Sequence, residues 1–114
     1  EQIKHSSTDE RLGVVIEYVN KLLPEDWDKK DLYDRRTWLD DPLTKNGTIQ
    51  RDTVCIAEIW CECLGKDKKD MTRYNTREIN DLMKSQPDWE FVTSTKHFSI
   101  YGKQKYFKRK DSLL

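Results

Sequence analysis

The sequence contains no apolar run longer than a few residues, which leaves no segment for a membrane-spanning helix or a secretory h-region. Glycine and proline are scarce, four and three in 114 residues, so collagen-like and linker-like chains are excluded. Histidine is nearly absent, at positions 5 and 97 only. The three cysteines, Cys55, Cys61 and Cys63, are odd in number and lack the paired C-x2-C spacing of a zinc site. They read as ordinary core thiols of a reducing compartment, and neither a metal nor a cofactor is expected. No G-x-x-x-x-G-K-[ST] phosphate loop occurs; Gly65-Lys66-Asp67 lacks both the glycine-rich loop and the hydroxyl. Nucleotide hydrolysis by this chain is therefore not expected.

What is present fits one polar domain. The chain is 35% hydrophobic and 37% charged, against typical values of about 45–50% and about 25%. Four Trp, five Tyr and three Phe can nonetheless anchor a core. The formal charge is zero, but unevenly spread. Residues 1–90 carry 15 basic and 20 acidic side chains, whereas residues 91–114 carry six basic ones and only Asp111 as an acid. A basic end on an acidic body suggests a polyanion contact there, or merely a lysine-rich, solvated terminal strand.

Periodicity outlines the elements. Residues 7–23 read as a helix opened by a capping box at Ser7 and Glu10 and stopped by Pro24. Asp31 can cap a second helix through Leu39, burying Leu32, the Arg36 stem and Leu39. A loop follows Pro42, with its turn at Asn46-Gly47, and residues 48–50 suggest a short strand. Asp52 then caps an apolar helix ending at Gly65, expected at the centre of the core. Residues 66–74 form a loop, and Asn75 with Glu78 marks the start of another helix carrying Ile79, Leu82 and Met83. From Trp89 the period is two, which predicts a hairpin turning at residues 94–96, with Gly102 as a bulge. Val54, Ile59, Trp60 and Leu64 are expected to pack with Ile79, Leu82 and Phe91.

The order predicts an α+β, mostly α fold. From residue 31 it runs α-β-α-α-β-β, the order of a winged helix, preceded by an extra helix. Residues 1–30 would pack on a winged-helix-like domain at 31–110, and residues 111–114 would fray.

Leu22-Leu23-Pro24-Glu25-Asp26-Trp27 with Leu32-Tyr33-Asp34-Arg35-Arg36-Thr37-Trp38-Leu39 resembles the C-terminal region of the virulence-associated protein E family. The run from Arg51 through Glu58-Ile59-Trp60 to Gly65, and Arg73-Tyr74-Asn75-Thr76-Arg77-Glu78-Ile79-Asn80, are similar to it as well. The resemblance spans about residues 6–110. It implies a prophage-encoded helicase- or primase-associated ATPase, acting in replication of mobile DNA in the bacterial cytoplasm. This chain would be a C-terminal piece, with the P-loop domain upstream in the same protein and any oligomer formed through that parent.

In that setting the expected role is non-catalytic DNA binding. Arg73, Tyr74, Arg77, Asn80 and Lys84 on and just before one helix, with Lys96, Tyr101, Lys103 and Lys105 on the wing, are the candidate contacts. Arg73 and Arg77 flank a helix N-terminus, where amides and dipole favour phosphate. Asn80 could pair with adenine, the tyrosines could stack on bases, and the lysines would add affinity without specificity. Arg35 and Arg36 suggest pairing with Asp31 and Asp40. The alternative role is a protein-interaction module that assembles the ATPase, which suits the acidic first ninety residues.

Overall fold

The computed structural model of the chain describes residues 6–41 and 47–110, with side chains from Glu10 onward. The Ser7 side chain of the expected capping box, residues 42–46 of the loop and the tail at 111–114 lie outside what is described.

Helix α1 (Ser6–Asn20) presents Val15, Tyr18 and Val19 to the core. It ends before Pro24, and the chain extends so that Leu23 bridges Ile49: Leu23 N–H donates to the Ile49 carbonyl at 2.8 Å, and Ile49 N–H donates back at 2.9 Å. Gly47 permits this approach, since a Cβ there would lie 2.0 Å from the Leu23 carbonyl carbon. A 3₁₀ turn at Trp27–Lys29 leads into α2 (Leu32–Asp40), where the Asp31 carboxylate accepts from Asp34 N–H at 2.8 Å. The residue α2 buries fully is Arg35 rather than Arg36.

The strand expected at 48–50 is only the Ile49 bridge; β1 is Thr53–Val54. With those residues committed to the sheet, the next helix is capped by Cys55 rather than Asp52. The Cys55 side chain and Glu58 close a capping box across the first turn. Helix α3 (Ile56–Glu58) runs on as a π-helical segment over Ile59–Cys63, in which Leu64 N–H reaches back to the Ile59 carbonyl. It stops at Gly65, whose φ of +67° suits glycine at that position. A 3₁₀ turn (Lys68–Asp70) leads to α4 (Arg73–Lys84). Its cap is Thr72, not Asn75. The Thr72 hydroxyl accepts from Asn75 N–H, and the Asn75 carboxamide accepts from Thr72 N–H.

β2 (Trp89–Phe98) and β3 (Gly102–Arg109) form an antiparallel hairpin, with β1 on the far side of β3. The hairpin's turn and irregularity are exchanged relative to the sequence expectation. The turn is a 3₁₀ segment at Ser99–Tyr101 leading into Gly102, whose φ of +74° is open to glycine. The register shifts instead between Val92 and Thr95.

The described residues thus make an α+β fold of four α-helices and a three-stranded antiparallel sheet. One cluster holds Val15, Val54, Ile59, Trp60, Ile79, Met83 and Phe107, so α1 shares a core with the later elements. Two residues expected inside differ. Leu64 is half-buried at the end of α3. Phe91, on edge strand β2, is exposed, with its ring edge-on to Phe107 and beneath the Lys84 ammonium.

Candidate functional site

The amphipathic pattern of α4 divides it into two faces. Ile79, Leu82 and Met83 are buried, while Arg73, Tyr74, Arg77 and Lys84 face solvent, Tyr74 at 72% exposure. Arg73 opens the helix directly after the Thr72 cap, so its guanidinium sits at the positive end of the helix dipole. Asn80 is half-buried, and its carboxamide oxygen is sealed from solvent with no partner. That oxygen is not presented to a base edge as the adenine-pairing expectation requires.

On the hairpin Lys96, Lys103 and Lys105 are exposed. Register distributes them. His97 pairs with Lys103 and Thr95 with Lys105, whereas Lys96 pairs with Gln104, one residue out of step. Side chains alternate across a strand, so Lys103 and Lys105 share one face and Lys96 stands on the other, over the Phe98 ring. The rest of the basic end is largely engaged. Lys108 lies 3.7 Å from Glu90, and Arg109 donates to the Arg51 and Val19 carbonyls and to Asn20, stacked over Trp89.

Tyr101 is not a stacking residue. It is buried, and its hydroxyl donates to Glu62 at 2.7 Å.

That bond belongs to a buried ionic network centred on α3. The Glu62 carboxylate also accepts from Tyr18 at 2.6 Å and from Arg35 Nη1 at 2.7 Å. Glu58 accepts from Arg51 Nη1 at 3.3 Å and from Cys55 N–H at 3.1 Å. Arg35 also donates to the Trp27 carbonyl and packs on the Trp27 ring, while Arg51 stacks on Tyr18. Two cations meet two carboxylates, so the network is formally neutral. Burial opposes charge on Arg35, but its bond to Glu62 and the Glu62 charge outweigh this and hold its pKa up. Burial pushes the Glu58 carboxyl up, and the adjacent Arg51 opposes that shift without cancelling it. Arg36 pairs with backbone, donating to the Cys61 and Lys66 carbonyls rather than to Asp31 or Asp40.

The thiols are held protonated. Burial pushes Cys55 up to about 12 and Cys63 up to about 11, and raises Cys61 as well. A thiolate nucleophile at neutral pH is thereby disfavoured at each position. Among the described residues no group of His, Cys, Asp and Glu could hold a metal ion, and no helix is long and apolar enough to cross a membrane.

Sequence reasoning missed this network. The signal was Glu58 and Glu62, one turn apart on a helix apolar around most of its circumference, where an inward carboxylate needs a buried partner.

Against models of known protein families and against curated proteins, the chain finds no match.

Proposed function

We propose that this chain is a nucleic-acid-binding module of winged-helix type, without chemistry of its own, that positions DNA for an ATPase domain elsewhere in a prophage replication protein. The observation that carries the reading is the solvent face of α4, where Arg73, Tyr74, Arg77 and Lys84 project from a helix with a well-capped N-terminus. Phosphate at that end would meet both side-chain charge and free backbone amides. The element order from α2 onward and the placement of β1 beside the hairpin support the winged-helix reading. α4 would then be the helix offered to DNA, and the hairpin, with Lys103 and Lys105 on one face, the wing. Tyr74 is the remaining stacking candidate; recognition through Asn80 and Tyr101 drops out of the mechanism. The setting in a virulence-associated protein E-like ATPase rests on the sequence resemblance alone.

A protein-interaction module is the second reading. Exposed Val14, Leu22 and Tyr33 on the acidic first half of the chain favour it. Fluorescence anisotropy with labelled duplex and single-stranded DNA separates the two. The double variant Arg73→Gln/Arg77→Gln should weaken binding by roughly tenfold or more if those side chains contact phosphate. Unchanged affinity in a folded double variant would favour the second reading.

A further inference from the structure

At about 100° per residue, Arg73, Arg77 and Lys84 fall within about 40° of one another around α4, a basic line roughly 16 Å long. All three are exposed. The line ends at an aromatic ring: the Lys84 ammonium lies over Phe91 of β2, 5.4 Å from the ring centroid. Phe91 is 37% exposed, whereas Phe107 opposite it on β3 is 1% exposed. The difference follows from position, since β3 is the central strand of the sheet and β2 an edge strand. Along β3, Phe107, Lys105 and Lys103 alternate onto one face. Phe91 pairs with Phe107 and shares that face, so it links the α4 line to the hairpin lysines. Glu90 stands on the opposite face beside Lys108, and Glu78 is bound by Arg11 from α1. Asp81 flanks the line as an exposed carboxylate and offsets part of its charge.

A single exposed aromatic is ordinary on a protein surface. Phe91 differs in carrying a displaceable cation on its ring. An exposed contact between an ammonium and a ring is weaker than a base stacked on an aromatic side chain. A strand laid along this path therefore gains twice: Lys84 leaves the ring for a phosphate, and a base takes its place. Only an unpaired base can do so, because bases inside a duplex are already stacked on both sides.

We propose that Phe91 is a base-stacking residue, and that the surface running from α4 across Phe91 to Lys105 and Lys103 selects single-stranded over duplex DNA. The proposal rests on the reading of α4 and the hairpin as a DNA face. It adds a preference between strand states and the residue that carries it.

Fluorescence anisotropy tests this with a labelled single strand of about 15 nucleotides and the same sequence closed into a duplex dumbbell, which offers no terminal base pair. The wild-type chain should bind the single strand roughly tenfold more tightly. Phe91→Leu keeps an apolar side chain; it should remove most of that preference and leave duplex affinity within about twofold of wild type. Phe91→Trp should retain or raise the preference, since the indole offers a larger stacking face. Stacking releases no counterions, so Phe91→Leu should leave the salt slope of single-strand binding unchanged, whereas Lys84→Gln should flatten it by about 0.7. Circular dichroism establishes that the variants are folded. Equal affinity of the wild-type chain for the two DNAs, or a preference unchanged in folded Phe91→Leu, would overturn the proposal and leave the DNA-face reading standing. If Phe91→Leu does not fold, Phe91→Trp decides: single-strand affinity below wild type overturns the proposal. Absence of binding to either DNA overturns both.

Discussion

Arg35 Nη1 and Glu62 Oε2 lie 2.7 Å apart with side chains 1% and 0% exposed, joining α2 to the π-helical part of α3 through the centre of the molecule. The pair is formed across 27 residues and is completed by Tyr18 from α1 and Tyr101 from the hairpin turn. Three parts of the chain therefore converge on one carboxylate carried by a fourth.

Removing one partner should be costly. Glu62→Leu leaves the Arg35 cation buried beside two tyrosine hydroxyls without their acceptor, and a loss of about 3–5 kcal/mol is expected. Replacing both, Arg35→Met with Glu62→Leu, should cost less than Glu62→Leu alone, because no charge is then stranded. Urea unfolding of the wild-type chain and the two variants measures this. A double variant less stable than the single one would show that the pair contributes more than its desolvation takes away.

Alkaline pH should unfold the protein early. Burial holds the Tyr18 and Tyr101 hydroxyls well above the ordinary tyrosine value, with Glu62 adding to the shift, and holds Cys55 up to about 12. The unfolded chain releases the Cys55 proton near its ordinary value of 9.0, whereas the native chain retains it. The stability from these raised values is thus complete below pH 9.0 and is lost as pH climbs towards about 12. Absorbance at the tyrosinate band, followed against circular dichroism, should show Tyr18 and Tyr101 ionising only with unfolding. Ionisation of all five tyrosines in the folded chain would contradict the burial of these two hydroxyls.

Two glycines should resist replacement for different reasons. Gly47→Ala drives a Cβ into the Leu23 backbone, so the Leu23–Ile49 bridge must open. Gly102→Ala meets no neighbour, yet φ +74° and ψ −157° is a conformation closed to other residues, at a cost of about 1–3 kcal/mol. Gly13→Ala, at an exposed position of α1 with nothing near its added Cβ, should be neutral or stabilising by comparison. Thermal midpoints of the three variants rank these effects. Equal midpoints would remove both arguments.

The helices and the change of period at Trp89 were legible because amphipathic spacing and caps are local signals. Asp31, Gly65 and the stripe at Ile79, Leu82 and Met83 behave as their residue types dictate. Errors arose where two local signals competed. Asp52 and Asn75 both resemble caps, but Cys55 with Glu58 and Thr72 with Asn75 form the reciprocal boxes. Ser94-Thr95-Lys96 resembles a turn, yet the hairpin takes up positive φ at Ser99 and Gly102. The ionic network was less legible, since Glu58 and Glu62 acquire meaning only when Arg35 and Arg51 arrive from other segments. Tyr101 beside lysines suggested stacking for the same reason: its partner Glu62 is 39 residues away.

The salt dependence of DNA binding tests the central claim most directly. With labelled duplex and single-stranded DNA, the observed affinity of the wild-type chain should fall linearly with salt on logarithmic axes. The slope counts the phosphates neutralised. Replacing Lys96, Lys103 and Lys105 together by alanine should weaken binding about equally for all sequences and flatten that slope by about 1 for each phosphate no longer neutralised. No binding at low salt, or a slope and affinity unchanged in the triple variant, would contradict the account and leave the hairpin lysines as charges that keep an edge hairpin soluble.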